Sequence, residues 1–242
     1  MIQSFSNVQA LVFDVFGTIV DWRSGVARDA AGFLARYAPG ADPEAFADAW
    51  RRQYSPAMEE VRSGRRDFTR LDVLHRESLV KILPQFGIDN AEKIPSAELD
   101  ALNLAWHRLD PWPDSVLGLE RLKKRFMIAP LSNGNIRLLL DMAKRAGLPW
   151  DAILGAEVAR AYKPTPESYL RTAEMLMLDP EGICLVAAHN SDLSAARRCG
   201  FRTAFIHRAM EHGPEQTTDL APTENWDVVA QDLQDLAAQL TT

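Results

Sequence analysis

Apolar positions along the 242-residue chain fall into two regimes. From Val8 to Asp14 runs a short, branched apolar stretch of strand length, punctuated by Gly17. From Ser24 to about His107 the apolar positions recur at helical spacing, and no strand is predicted there. Ser24 can cap the first of these helices. Asp42-Pro43, an N-cap followed by Pro at the first helical position, opens a helix towards Val61. Thr69 and Asp72 have the spacing of a capping box for a helix to about Gln85, and Ser96 can cap a fourth.

The chain breaks at Asp110-Pro-Trp-Pro-Asp114, and the rhythm changes. Strands are predicted at Phe126–Leu131, Ala152–Leu154, Ile183–Ala188 and Thr203–Ile206. Between them lie helices at Gly134–Ala146, stopped by Gly147, at Thr165-Pro166 to about Met177, and at Ser191–Cys199, closed by Gly200. Ala209–Glu224 is polar and reads as loop. Alternating strands and helices imply a Rossmann-like α/β fold, a parallel sheet with helices on both faces. The expected organisation is a core of residues 1–21 and 110–242 with a helical insertion over 22–109.

Composition narrows the function classes. Hydrophobic residues at 47% and charged residues at 25% describe an ordinary globular chain. Lys and Arg number 27 against 33 Asp and Glu, a net charge of −6. That balance disfavours nucleic acid and anionic membrane as partners, which need a basic face. It leaves room for a small anionic substrate at a local positive site. Cys184 and Cys199 have no metal-ligand spacing and read as reduced thiols. Met1–Ala10 lacks a basic stretch followed by a long apolar run, so a cytoplasmic protein is expected.

In an open parallel sheet, ligands bind beyond the carboxyl ends of the strands. Asp14, Ser132-Asn133, Lys163 and Asp192 follow predicted strands and would gather at one edge. A carboxylate, a hydroxyl, an ammonium and a second carboxylate form a set suited to covalent catalysis. Each also has a plain structural reading. Ser132-Asn133 can cap a helix, Asp192 can face a helix dipole, and Arg51-Arg52 can be a solvated face. Tyr169 and His189 can be core residues. Phe46, Trp50 and Tyr54 recur at the spacing of a packing face.

Asp14-Val-Phe-Gly-Thr18, Leu131-Ser-Asn-Gly134, Tyr162-Lys-Pro164 and the strand before Asp192 resemble the four motifs of the haloacid dehalogenase (HAD) superfamily. The insert after the first motif resembles its helical cap. Trp50-Arg51, Pro113-Asp114 and Tyr169, six residues after Lys163, strengthen the likeness to the L-2-haloacid dehalogenases. Superfamily phosphatases carry a second Asp two places after the nucleophile, as acid for the leaving alcohol. That position is Phe16, which transfers no proton. Their fourth motif holds Mg²⁺ through acidic oxygens, whereas Ala187-Ala188-His189-Asn190-Ser191-Asp192 offers one carboxylate.

The resemblance implies hydrolysis of short 2-haloalkanoic acids with no metal and no cofactor, water being the second substrate. Asp14 would attack the halogen-bearing carbon, Lys163 would keep it ionised, and Thr18 would orient it. Backbone N–H groups of Val15 and Phe16, with Ser132, would hold the substrate carboxylate. Arg51 and Asn133 would stabilise the halide. Water activated near Asp192 would hydrolyse the ester, and Tyr169 would orient the substrate or support its neighbours. The resemblance also implies a homodimer. One departure stands out: His189 occupies the place of a family asparagine, and Asn190 lies one position out of register. Lys163 nearby is expected to depress its pKa, leaving a neutral donor at pH 7. Two other readings stay open, a HAD phosphatase or phosphonate hydrolase, and a non-catalytic HAD-like binding protein.

Overall fold

Strand β1 (Ala10–Phe13) is buried on both faces, as a central parallel strand must be. In the computed structural model, which describes residues 5–241, it lies inside a six-stranded sheet. The first four positions of the Met1–Ala10 segment, and Thr242, lie outside the described residues. The other strands are β4 (Met127–Ser132), β5 (Leu154–Gly155), β6 (Ile183–Ala187), β7 (Arg202–Ile206) and β8 (Val228–Ala230). Their order is β5-β4-β1-β6-β7-β8, all parallel. Ala10 pairs with Met127 on one side and Ile183 on the other, which aligns the ends of β4, β1 and β6.

Two short strands, β2 (Val20–Asp21) and β3 (Asp110–Pro111), pair antiparallel where the chain leaves and re-enters the sheet region. Between them lie α1 (Trp22–Tyr37), α2 (Pro43–Arg52), α3 (Tyr54–Arg62), α4 (Leu71–Ile82) and α5 (Ser96–Asn103), with no strand among these described residues. Beside this joint, the Arg208 guanidinium forks onto Asp114 at 2.7 Å twice and donates to Thr18 O at 2.9 Å. The pairing is buried and bidentate, the strongest geometry for such an ion pair.

Several helix boundaries differ from the sequence pattern. Asp21, not Ser24, caps α1, because its extended backbone lets the carboxylate accept Ser24 N–H. The helix expected from Pro43 to Val61 divides at Gln53. Pro56 has no N–H for the Arg52 carbonyl, so the first helix ends there. The Thr69–Asp72 capping box does not form: Thr69 Oγ1 donates to Asp67 O, and Asp72 bonds Asn135 and His107. Ser96 opens α5 as its first residue, with Pro95 at the cap.

The remaining helices are α6 (Ser115–Lys123), α7 (Ile136–Ala146), α8 (Ala156–Ala159), α9 (Pro166–Leu176), α10 (Asn190–Arg198) and α11 (Leu233–Leu240). Gly147 ends α7 in the left-handed region, as expected. Residues 209–224 form no helix or strand. No helix among the described residues is long and apolar enough to cross a membrane.

Candidate active site

The aligned ends of β4, β1 and β6 deliver the site. Asp14 follows β1 immediately, and its N–H is spent on Val186 O of β6 at 3.0 Å. Its side chain accepts from three groups. Oδ1 takes Lys163 Nζ at 2.9 Å. Oδ2 takes Thr18 Oγ1 at 2.7 Å and His189 Nδ1 at 3.1 Å. Thr18 is itself fixed, because its hydroxyl oxygen accepts Ala188 N–H at 2.9 Å. Thus β6 holds Thr18, and Thr18 holds Asp14.

Lys163 arrives on the segment before α9. Its N–H donates to Asn133 Oδ1 at 2.8 Å, tying it to the end of β4. Its ammonium bridges Asp14 and Asp192 Oδ2, the latter at 2.5 Å. The other oxygen of Asp192 accepts Tyr169 O–H at 2.6 Å. Burial opposes charge on Lys163, but Asp14 and Asp192 outweigh it and push its pKa up. Burial likewise opposes ionisation of Asp14, and Lys163 with His189 overcomes it, holding the carboxyl far below the usual range. Asp14 is therefore a carboxylate at any physiological pH.

His189 departs from the sequence expectation. Burial does lower its pKa, but Glu211 and Asp14 raise it well above the usual imidazole value. Glu211 is the reason the expectation failed. Its Oε2 lies 2.8 Å from His189 Nε2, and its Oε1 accepts Trp22 Nε1–H at 3.0 Å. Both ring nitrogens thus face carboxylates, an arrangement that an imidazolium satisfies with two donated bonds. Glu211 is 1% exposed although it sits in the polar stretch read as loop. No periodicity marks it. The one available signal is that a half-buried histidine needs a partner. Asn190 is turned away, bonding Asp219, Ala221 and Trp226.

Arg51 enters from α2. Its guanidinium carbon lies 4.1 Å from the Tyr54 ring centre, 5.2 Å from Trp22 and 5.9 Å from Phe16. Its Nη1 is buried and has no hydrogen-bond partner among the described residues. A caged cation with a spare donor is an anion-binding device. Nearby, His75 stacks on Trp106 with ring centres 4.3 Å apart, and neither of its ring nitrogens has a hydrogen-bond partner among the described residues. Burial pushes the His75 pKa down to about 3, so it is neutral.

A cavity of about 190 Å³ joins these groups. Of the sequence-predicted residues, Asp14, Phe16, Arg51, Asn133, Lys163, His189 and Asp192 line it. Thr18 and Tyr169 stand behind Asp14 and Asp192. Ser132 is buried and not in the wall, and its hydroxyl oxygen accepts Gly134 N–H at 3.2 Å. Val15 is buried beside Asp14 and also lies outside the wall. Tyr54 and Met58, on the insert, complete an apolar side that the site assignment from sequence did not include.

An ionised carboxylate at a strand end, bridged by lysine and backed by threonine, defines a hydrolase site on a doubly wound sheet. A family model described as haloacid dehalogenase-like hydrolase matches residues 8–200, and the chain belongs to that family. The crystal structure of a defluorinating L-2-haloacid dehalogenase is 54% identical, with a TM-score of 0.96 over 99% of this chain and 98% of that one. A second L-2-haloacid dehalogenase structure is 45% identical, with a TM-score of 0.90 over 96% of this chain and 99% of the other. The (S)-2-haloacid dehalogenase 4A of Burkholderia cepacia is 30% identical over 84% of each chain.

Proposed function

We propose that this protein hydrolyses short 2-haloalkanoic acids to 2-hydroxy acids through an ester on Asp14. One observation carries the reading: an ionised, lysine-bridged Asp14 shares a small cavity with Arg51, whose buried Nη1 has no partner among the described residues. A volume of about 190 Å³ is below that of pockets for drug-sized ligands and suits a two- or three-carbon acid. The 54% identical structure is that of a defluorinating enzyme, which brings fluoroacetate into the substrate range.

In this reading Asp14 displaces the halide in line, and the halide leaves towards Arg51 and Asn133. Fixed donors there stabilise the charge that develops on the leaving atom. Lys163 keeps Asp14 ionised, and Thr18 fixes its rotation. The Phe16 backbone N–H, on a residue that lines the cavity, takes the substrate carboxylate, while Ser132 supports the turn at Gly134 from outside the wall. Phe16 fits this chemistry, since a halide needs no proton to leave, whereas a phosphate ester needs an acid at that place. Residues 22–109 act as a cap over the core formed by 1–21 and 110–242, contributing Arg51, Tyr54 and Met58 to the cavity. A cytoplasmic location and a homodimer come with the family resemblance and complete the proposal.

The test is halide release from fluoro-, chloro- and bromoacetate and both enantiomers of 2-chloropropionate, with and without a chelator. Wild type should release halide in both conditions and prefer the (S) enantiomer. Asp14→Asn keeps the shape but is a poor nucleophile, so turnover should fall by at least about 10³-fold, ~4 kcal/mol of barrier. Its circular dichroism should match wild type. Mg²⁺-dependent phosphate release in place of halide release would overturn the proposal.

A further inference from the structure

His189 and Arg51 both line the cavity, and His189 touches the Asp14 carboxylate directly. In an in-line displacement the leaving atom is on the far side of carbon from the attacking oxygen. His189 Nδ1 is 3.1 Å from Asp14 Oδ2, one of the two possible attacking oxygens. It therefore faces the ester once that forms, not the halide. Its side chain is 20% exposed and lines the cavity, so water and protons reach it.

Glu211 fixes the ring from behind. Its own carboxylate is immobilised by Trp22 Nε1–H, and its segment is anchored where Glu211 N–H donates to Arg208 O at 3.3 Å. The order carboxylate–imidazole–carboxylate across Glu211, His189 and Asp14 places a ring nitrogen beside the carbon that water must attack. Asp192, the other candidate base, already accepts from Lys163 on one oxygen and from Tyr169 on the other.

We propose that His189, oriented by Glu211, is the general base that activates water for hydrolysis of the Asp14 ester. This rests on the ester reading above and adds the second half of the cycle. In the resting protein the imidazolium donates Nδ1–H to Asp14 and Nε2–H to Glu211. When Asp14 attacks, its charge leaves with the halide, and the Nδ1 proton loses its acceptor and passes to solvent. That is the one proton the overall reaction must release. Neutral His189 then takes a proton from water through Nδ1 as the hydroxyl oxygen bonds to Asp14 Cγ. The tetrahedral centre collapses, the ester C–O bond breaks, and the alkoxide of the hydroxy acid receives that proton. The carboxylic acid left on Asp14 gives its proton to His189, restoring the resting pair.

The groups that set this equilibrium are Asp14 and Glu211 on the ring. Lys163 and Thr18 act behind Asp14, and Trp22, Arg51 and His212 act around Glu211. Once Asp14 is esterified, Glu211 is the remaining anion against His189. Removing its charge must lower the imidazole pKa in the intermediate and move the acid limb of ester hydrolysis to lower pH.

The experiment is rapid-quench halide release from (S)-2-chloropropionate, with intact mass spectrometry of the quenched protein. His189→Ala should give a burst of about one halide per site. Turnover after the burst should be at least about 100-fold slower, with the ester mass accumulating, in line with the usual contribution of a general base. Glu211→Gln keeps the shape and one acceptor oxygen while removing the charge, and a circular dichroism spectrum matching wild type separates the role from folding. It should keep the burst, slow ester hydrolysis about tenfold, and shift the acid limb down by a measurable fraction of a pH unit or more. The assignment is overturned if both variants hydrolyse the ester at the wild-type rate, or if burst and turnover vanish together in folded Glu211→Gln. Ester trapped by Asp192→Asn but by neither of these variants would also overturn it and pass the base to Asp192. Absence of halide release from wild type itself would bring down the ester reading, and is told apart because it needs no variant.

Discussion

Gly17 shows how one position without a side chain shapes the chemistry several residues away. Its φ of +88° is in the region that favours glycine, and Trp112 Nε1–H holds its carbonyl at 2.8 Å. A Cβ there would lie 2.1 Å from the Glu211 carboxyl carbon and Oε1. Gly17→Ala therefore meets backbone strain and displaces the carboxylate that orients His189. The left-handed conformation alone costs roughly 1–2 kcal/mol. We expect a lower melting temperature and turnover slowed at ester hydrolysis, read by the ratio of burst to steady state. An unchanged melting temperature and an unchanged ratio would show that the loop yields freely. Gly17 itself was legible as part of Asp-Val-Phe-Gly-Thr, and so were Asp14, Thr18 and Lys163. Their partner Glu211 was not. It lies 22 positions beyond His189 in a polar, aperiodic segment, and nothing local says that the segment folds back under the first motif.

Elements were legible in proportion to how local their causes are. The strand positions of β1, β4, β6 and β7 could be read because each is a short apolar run bounded by turn residues. Their order could not, since pairing Ala10 with both Met127 and Ile183 is a long-range fact. Caps were the weakest part. Asp21 and Ser24 are both good N-cap residues three positions apart, and the choice depends on where the β2–β3 pairing ends the extended backbone. Gln53 divides one predicted helix because Pro56 acts through a missing hydrogen bond four residues earlier. The pattern announced no element over 228–240, yet β8 and α11 are there. Leu233, Leu236, Ala237 and Leu240 form a single buried stripe too short to stand out by period alone. For the site the consequence was mild: the strand ends and the insert were found, and the returning loop was not.

For the whole molecule, His75 sets an acid limit on stability. It is neutral in the fold with its pKa near 3, against an ordinary 6.5 when the chain unfolds. The unfolded chain thus binds a proton that the native one refuses, and stability falls as pH drops below 6.5 towards 3. At pH 5 the loss is about 2 kcal/mol. His107 and His189 have raised values, so their contributions are complete below 6.5 and fade only as pH rises through those values. The depressed carboxylates Asp14, Asp72 and Glu211 lose theirs only below about 4. Between pH 6.5 and 4.5 the slope therefore belongs to His75. Melting temperatures from pH 6 to 5 should fall for wild type and stay nearly level for His75→Phe. Parallel curves would assign the slope elsewhere.

The aromatic cage at Arg51 gives the protein an optical property. Of six tryptophans, Trp106 has two others as neighbours, Trp50 at 5.5 Å and Trp22 at 6.3 Å, and Trp22 also flanks the guanidinium. A heavy atom touching an excited indole drains its emission through spin–orbit coupling, and the effect grows steeply from chloride to bromide to iodide. An anion seated against Arg51 touches that cluster. Bromide and iodide should dim the intrinsic fluorescence along a saturating curve, fluoride should leave it bright, and Arg51→Met should reduce the response to the linear quenching of exposed indoles.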